Sequence, residues 1–430
     1  MKEQHRLTEL PSGVRVVTES MDSVRSAALG FYIATGSGYE DDARAGLSHL
    51  LEHMLFRGTA RYGSLEIDQL FDGMGAELNA GTGKETTSVS SRVLDVHLER
   101  AFDVMADMVW RPRITAEDLA QEREIVLEEI AMYEDDPQDR VFDVLGEAVF
   151  GDHPLGRAII GRREVVAGTP AVELQTFHAG RYTSRNVVVA AAGSIDHDRL
   201  VELVHRSLAD RPPDGAAAEP LPSVPPAPPA RRRGFIAKET EQYHIALGAP
   251  GLARDDERRY ALRVLDNVLG GTSSSRLFQE VRENRGLAYS VYSFTTSYAG
   301  TGQVGLYLGT RPDNVATSLK VVGAELERLR ADGITADELE RSKENVKGRV
   351  VLSLESTTAR MNRLGSSVLA DLPLLTVDEV VERIDAVTAE DVVGLARELF
   401  APERLSAAGI GADEAAFRRA LEPVSAALGS

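Results

Sequence analysis

Two duplicated α+β domains in series are the architecture this sequence predicts, on three observations. Strand-like and helix-like segments cluster in groups rather than alternating strictly, which favours α+β layers over a doubly wound parallel sheet. A proline-dense break, RPPDGAAAEPLPSVPPAPPARRR at 211–233, divides the chain into halves of similar length. The halves also repeat one order of elements. Each opens with strands, VRSAALGFYIAT at 24–35 and QYHIALGAPG at 242–251. Each closes with a helix, a small-residue strand (NVVVAAAGSI at 186–195, ERLSAAGIGA at 403–412) and a last helix. Recurrence of an element order at weak identity is the mark of duplication.

In chain order, β-branched and aromatic residues alternating with small ones predict strands at 13–19 and 26–35. Residues 44–57 read as a helix, and AELNAGTGKETTSVSSRV at 76–93 as a hairpin around Gly81 and Gly83. Helices follow at 95–110 and 115–134, the second with Thr115 as N-cap and Asp118 three residues on. In the second half, helices are predicted at 255–269, 274–285, 311–331, 335–355, 377–385 and 388–399, with strands at 287–297 and 301–308. The break fixes φ and removes donors at many positions, so it reads as an extended linker. This places an N-terminal domain at 1–212, a linker at 213–233 and a C-terminal domain at 234–430.

Composition narrows the function. The chain has 48 Lys and Arg against 67 Asp and Glu, a formal charge of −19, which disfavours binding to nucleic acid phosphates. The acidic excess serves solubility and suggests basic rather than acidic peptides as ligands. There are no cysteines, so a metal must be held by His, Asp or Glu. The start, Met1-Lys2-Glu3-Gln4-His5-Arg6, lacks the apolar core of a signal peptide, and no apolar run is long enough to span a membrane. The expected location is the cytoplasm.

The informative segment is Gly46-Leu-Ser-His49-Leu-Leu-Glu52-His53-Met-Leu-Phe56. Helical spacing puts His49 and His53 at i and i+4, on one face, where two imidazoles can grip one metal ion. Glu52 projects beside that ion, placed to take a proton from water and pass it to a leaving amine. Leu47, Leu50, Leu51, Met54 and Leu55 bury the rest of the helix. H-x-x-E-H is the inverzincin pattern. A catalytic zinc needs a third protein ligand and an open position. Candidates lie on the 115–134 helix, where Glu122 and Glu129 are two turns apart on one face; spacing does not choose between them.

These residues resemble the pitrilysin-type inverzincin metallopeptidases, in the mitochondrial-processing-peptidase-like branch common in bacteria. The resemblance spans nearly the whole chain. Its carriers are GLSHLLEHMLFRGT at 46–59, AELNAGTGKETTSVSSRV, ERE-x-V-x-EEI at 122–130, DHPLGRAIIG at 152–161 and LFQEVRENRGLAYSVYSF at 277–294. It implies that each half is an α/β sandwich, a mainly antiparallel sheet packed against helices. It implies a zinc endopeptidase with one Zn2+ per chain, held by His49, His53 and Glu129. Glu52 is then the base, Glu122 a supporting catalytic glutamate and Glu128 solvent-facing.

The resemblance implies three further features. Peptide substrates add as a strand near Glu77–Ala80, with Asn79 and Ala80 lining the path. Arg282 and Tyr289 bind substrate carbonyls and stabilise an oxyanion. Gly270–Ser275 sits where relatives have a glycine-rich substrate loop, but it is shorter and richer in serine, and Ser273 or Ser274 equally suits a helix N-cap. Two such chains enclose a chamber that admits flexible chains. The presence of both the zinc motif and the Arg–Tyr pair favours a homodimer. Relatives that serve as catalytically silent partner subunits usually have a broken H-x-x-E-H; here the motif is intact.

Overall fold

A computed structural model describes residues 5–209, 211, 214 and 233–430. The linker predicted at 213–233 lies outside these residues except for Asp214 and Arg233. Two sheets organise the described chain. The first is built from β1 (His5–Glu9), β2 (Arg15–Ser20), β3 (Ser26–Ile33), β4 (Glu77–Thr82), β5 (Thr87–Leu94) and β6 (Val187–Gly193), in the order β1-β2-β6-β3-β5-β4. The second is built from β7 (Arg233–Ala237), β8 (Tyr243–Gly251), β9 (Ala288–Ser297), β10 (Gly302–Thr310) and β11 (Ser406–Gly411), in the order β7-β11-β8-β10-β9. Without β1, the two orders correspond strand for strand. The one parallel pairing of each sheet, β2 with β6 and β7 with β11, falls at the same place. Duplication therefore extends from element order to hydrogen-bond polarity.

Contacts divide the chain into two compact units that do not follow its two halves. One comprises 1–130, 158–223 and 351–376; the other comprises 131–157, 224–350 and 377–430. Each unit thus takes one helix from the opposite half of the sequence. Helix Thr357–Leu369 lies on the first sheet, where Met361, Leu364 and Val368 bury against Val17, Ala28, Tyr32, Val188 and Ala190. The buried carboxylate of Glu19 pairs with Arg360 and Arg363 from that helix. Helix Pro137–Phe150 does the same on the second sheet, with Val141, Val144, Leu145 and Val149 against Ala246, Tyr307, Ala408 and Ile410. Neither helix is among those predicted from the sequence.

The other face of the first sheet holds the main core of that unit. Leu29, Phe31 and Ile33 of β3 pack there with Leu47, Leu50, Leu51, Met54 and Leu55 of helix Leu47–Leu55. The entry to this helix is a close backbone crossing. Gly46 (φ 107°) and Gly161 (φ 86°) are both left-handed, and a Cβ on Gly161 would lie 2.3 Å from Gly46 Cα. Gly161→Ala is expected to lower stability by about 2–4 kcal/mol, from the strained φ plus the clash, and a denaturant melt checks it.

Candidate active site

Helix Leu47–Leu55 begins without a side-chain cap of its own. The buried carboxylate of Glu40 supplies one, accepting from Gly46 N at 2.8 Å and Ser48 N at 2.7 Å. A negative group at a helix N-terminus satisfies orphan donors and complements the dipole. With the apolar face buried, the remaining stripe presents His49, Glu52 and His53. Helix Ala116–Asp135 lies alongside and starts as predicted. Thr115 Oγ1 accepts from Asp118 N at 3.1 Å, and Leu119, Glu122, Val126 and Ile130 are buried.

This arrangement brings His49, His53 and Glu129 to one point, with their ligand atoms all within 4.8 Å of one another. Glu129 Oε2 lies 3.7 Å from His49 Nε2 and 3.4 Å from His53 Nε2. Two ligands on a tetrahedral zinc, each ~2.1 Å from it, are themselves roughly 3.4 Å apart, so the donors already stand near ligation spacing. The imidazole rings are 4.6 Å apart. His49 turns Nε2 toward Glu129, while its Nδ1 is buried without a hydrogen-bond partner among the described residues. Two imidazoles and a carboxylate suit Zn2+ and leave a position open.

The neighbouring groups tune these donors. Burial, aided by the nearby His53, lowers the pKa of His49 to about 4, so its ring is neutral and able to ligate at pH 7. Burial also opposes charge on His53, but its bond to Glu122 and the nearby carboxylates outweigh this and raise its pKa. Glu122 Oε1 is 2.8 Å from His53 Nδ1, and its other oxygen accepts from Arg57 Nε. Burial would raise the Glu122 pKa, but these two bonds hold it below the usual carboxylate range. A carboxylate on Nδ1 fixes the tautomer that leaves Nε2 free for a metal. Of the two glutamates left open by spacing, Glu129 therefore faces the ligand point and Glu122 backs His53. Glu128 is exposed. Glu122→Gln is expected to weaken zinc binding about 10–100-fold, measured by competition with a chromogenic chelator.

Glu52 borders the same point. Burial raises its pKa, countered in part by the hydroxyl of Thr82, which donates to Glu52 Oε2. Thr82 ends edge strand β4 and is a site residue that the sequence reading passed over. Its only signal was a hydroxyl on the inward register of β4, which a sequence does not reveal until strand register is known. On β4, Leu78 and Ala80 pack on the core, while Asn79 is exposed on the opposite face and borders a groove of about 390 Å³ with Glu77, Arg92, Thr358 and Met361. Asn79 therefore points away from the face that carries Thr82.

Arg282 and Tyr289 belong to the second unit. The guanidinium of Arg282 lies 4.6 Å from the Tyr289 ring centroid and 4.7 Å from that of Phe278, while Tyr289 is 77% exposed. Arg282 sits on a π-helical turn, Phe278–Glu283, where an α-helix over 274–285 was predicted. The loop at 270–275 is tied down: Ser275 Oγ donates to Thr272 O at 2.6 Å, and a Cβ on Gly270 would lie 2.2 Å from Ser293 N. Neither Ser273 nor Ser274 caps a helix of regular length.

Comparison with known proteins gives the family and the fold. Residues 15–163 match the family described as insulinase, peptidase family M16, and residues 171–346 match the peptidase M16 inactive domain. The three clustered ligand residues all fall in the first match. A zinc protease of Streptomyces coelicolor, named as uncharacterized, is 44% identical over 402 residues, covering 92% of this chain and 87% of its own. A like-named protein of Bacillus subtilis is 42% identical over 390 residues, covering 90% and 94%. A Helicobacter pylori protease has the same fold, with a TM-score of 0.90 at 21% identity over 95% of this chain and 99% of its own. A Pseudomonas fluorescens protein described as a peptidase M16 inactive domain scores 0.88 at 25% identity, over 95% and 98%. With its motif, its paired sheets and relatives alike over nearly their whole length, the chain belongs to peptidase family M16.

Proposed function

We propose that this protein is a zinc-dependent endopeptidase that hydrolyses extended peptides, with one zinc held by His49, His53 and Glu129. The observation that carries this reading is the convergence of those three donors beside a carboxylate, Glu52, that ligates nothing and is held by Thr82. When bound, zinc supplies Lewis acidity: it brings the pKa of a water at its fourth position toward neutrality and polarises a carbonyl. The chain's own residues do the rest. Glu52 accepts the proton of the attacking water and returns it to the leaving nitrogen. Burial raises its pKa toward the range where it can do both. Thr82 keeps the carboxylate from swinging away, and Glu122 keeps His53 in its ligating tautomer.

The unpaired edge of β4 supports binding of substrate as an added strand, with main-chain bonds near Asn79 and Ala80. Such binding requires an extended chain, so unfolded peptides are the substrate class. The stacked Arg282 and Tyr289 offer a cation and a phenol suited to peptide carbonyls. The chain works as a homodimer in this reading, each copy carrying a full ligand set. Among the described residues no helix is long and apolar enough to cross a membrane. The test is hydrolysis of an unfolded peptide by the purified chain. Cleavage that stops with chelator and returns with zinc is the expected result; no cleavage by the zinc-loaded chain overturns the proposal.

A further inference from the structure

The two faces of edge strand β4 lead to different places. Thr82, at its end, holds Glu52 on the face of the ligand cluster. Glu77 and Asn79 lie on the opposite face, beside their cross-strand partners Arg92 and Ser90 of β5. Helix Thr357–Leu369 packs on that second face, but its buried residues meet β2, β3 and β6 and not β4 or β5. The step it leaves at the sheet edge is the groove of about 390 Å³. Glu77, Asn79, Ser90 and Arg92 line it from the sheet, and Thr358 and Met361 from the helix.

The polar groups of this groove are not paired with one another. Glu77, Asn79 and Arg92 are exposed. Glu77 and Arg92 stand opposite in register, yet among the described residues neither side chain makes an ion pair or a hydrogen bond. A strand added to the free edge of β4 would set every second side chain on this face, next to Glu77 and Asn79. Adjacent strands are about 4.8 Å apart, so Arg92, one strand further in, is about twice as far from that added strand as Glu77. Opposite charges on neighbouring strands attract and like charges repel. Glu77 is therefore the charge an incoming side chain meets first, and Met361 offers an apolar wall to the stem of a long one.

We propose that this groove is a side-chain subsite for the peptide strand, and that Glu77 makes it take a lysine or arginine. The peptide itself rests on the peptidase reading. Glu77 and Thr82 are five positions apart on β4 and on opposite faces. At strand rise that is about 17 Å. The selected residue thus stands roughly five residues from the one beside Thr82, where the zinc and Glu52 act. Attraction of cations by a chain of charge −19 would act at every substrate position, whereas a subsite acts at one position of one parity.

The test is kcat/KM of the zinc-loaded full chain on unfolded peptides of one sequence, chosen for cleavage at one bond. A single lysine is moved residue by residue through the positions on either side of that bond, with serine elsewhere in the scan. A gain of about two- to fivefold is expected. It should be confined to lysine about four to six residues from the cleaved bond on one side, absent at the flanking positions that face away, and smaller at high salt. The side on which it falls gives the direction of the bound strand. The gain should vanish in Glu77→Gln, turn into a preference for glutamate in Glu77→Lys, and persist in Glu128→Ala. Equal rates for lysine at every position, or a gain that persists in Glu77→Gln, overturns the subsite and leaves the peptidase reading standing. Failure to cleave any peptide overturns both.

Discussion

Glu52→Gln is expected to keep its zinc and lose peptide hydrolysis by about 10²- to 10⁴-fold, the usual worth of a positioned general acid–base. The amide nearly matches the carboxylate in shape and still accepts from Thr82, so the helix and the ligand point should persist. What it loses is the capacity to take a proton. Glu52 donates nothing to the His49–His53–Glu129 cluster, so metal content should be unchanged. The measurement pairs zinc analysis with steady-state kinetics on one unfolded peptide. Loss of zinc alongside activity would make Glu52 a ligand rather than a base, and retained activity would remove it from the chemistry.

Glu129→Ala is the second large effect, and Glu128→Ala is its control. The two glutamates are adjacent, but one helical step rotates Glu128 into solvent while Glu129 stays half-buried between the two imidazoles. Removing Glu129 leaves two protein ligands, too few for a catalytic zinc site. Zinc affinity should drop by more than the roughly 100-fold upper range for an outer partner such as Glu122. Glu128→Ala should bind zinc and cleave peptide as the parent does. Chelator competition on both variants checks the pair, and equal affinities would contradict the assignment.

The site was legible where helix geometry alone sets it. His49, Glu52 and His53 share a face by spacing, and the buried leucines around them fix which face. The choice between Glu122 and Glu129 was not legible from spacing, because a face shared over two turns does not say which end meets a second helix. The packing of helix Ala116–Asp135 decides it, putting Glu129 between the imidazoles and Glu122 on His53 Nδ1. Thr82 needed the register of β4. Duplication was legible as element order, yet the exchanged helices were not. Thr357–Leu369 carries Gly365 and paired serines, poor helix formers. It is held by contacts from far in sequence: a Cβ on Gly365 would lie 2.2 Å from the Tyr32 ring, so only glycine admits that ring. Tertiary packing overrides propensity at such a segment.

X-ray absorption at the zinc edge on the purified chain tests the central assignment most directly. The account expects one zinc per chain with a light-atom shell at about 2.0–2.1 Å and the outer scattering of two imidazole rings, and loss of the zinc in His53→Ala. Absence of zinc, or a shell without imidazole scattering, would contradict it.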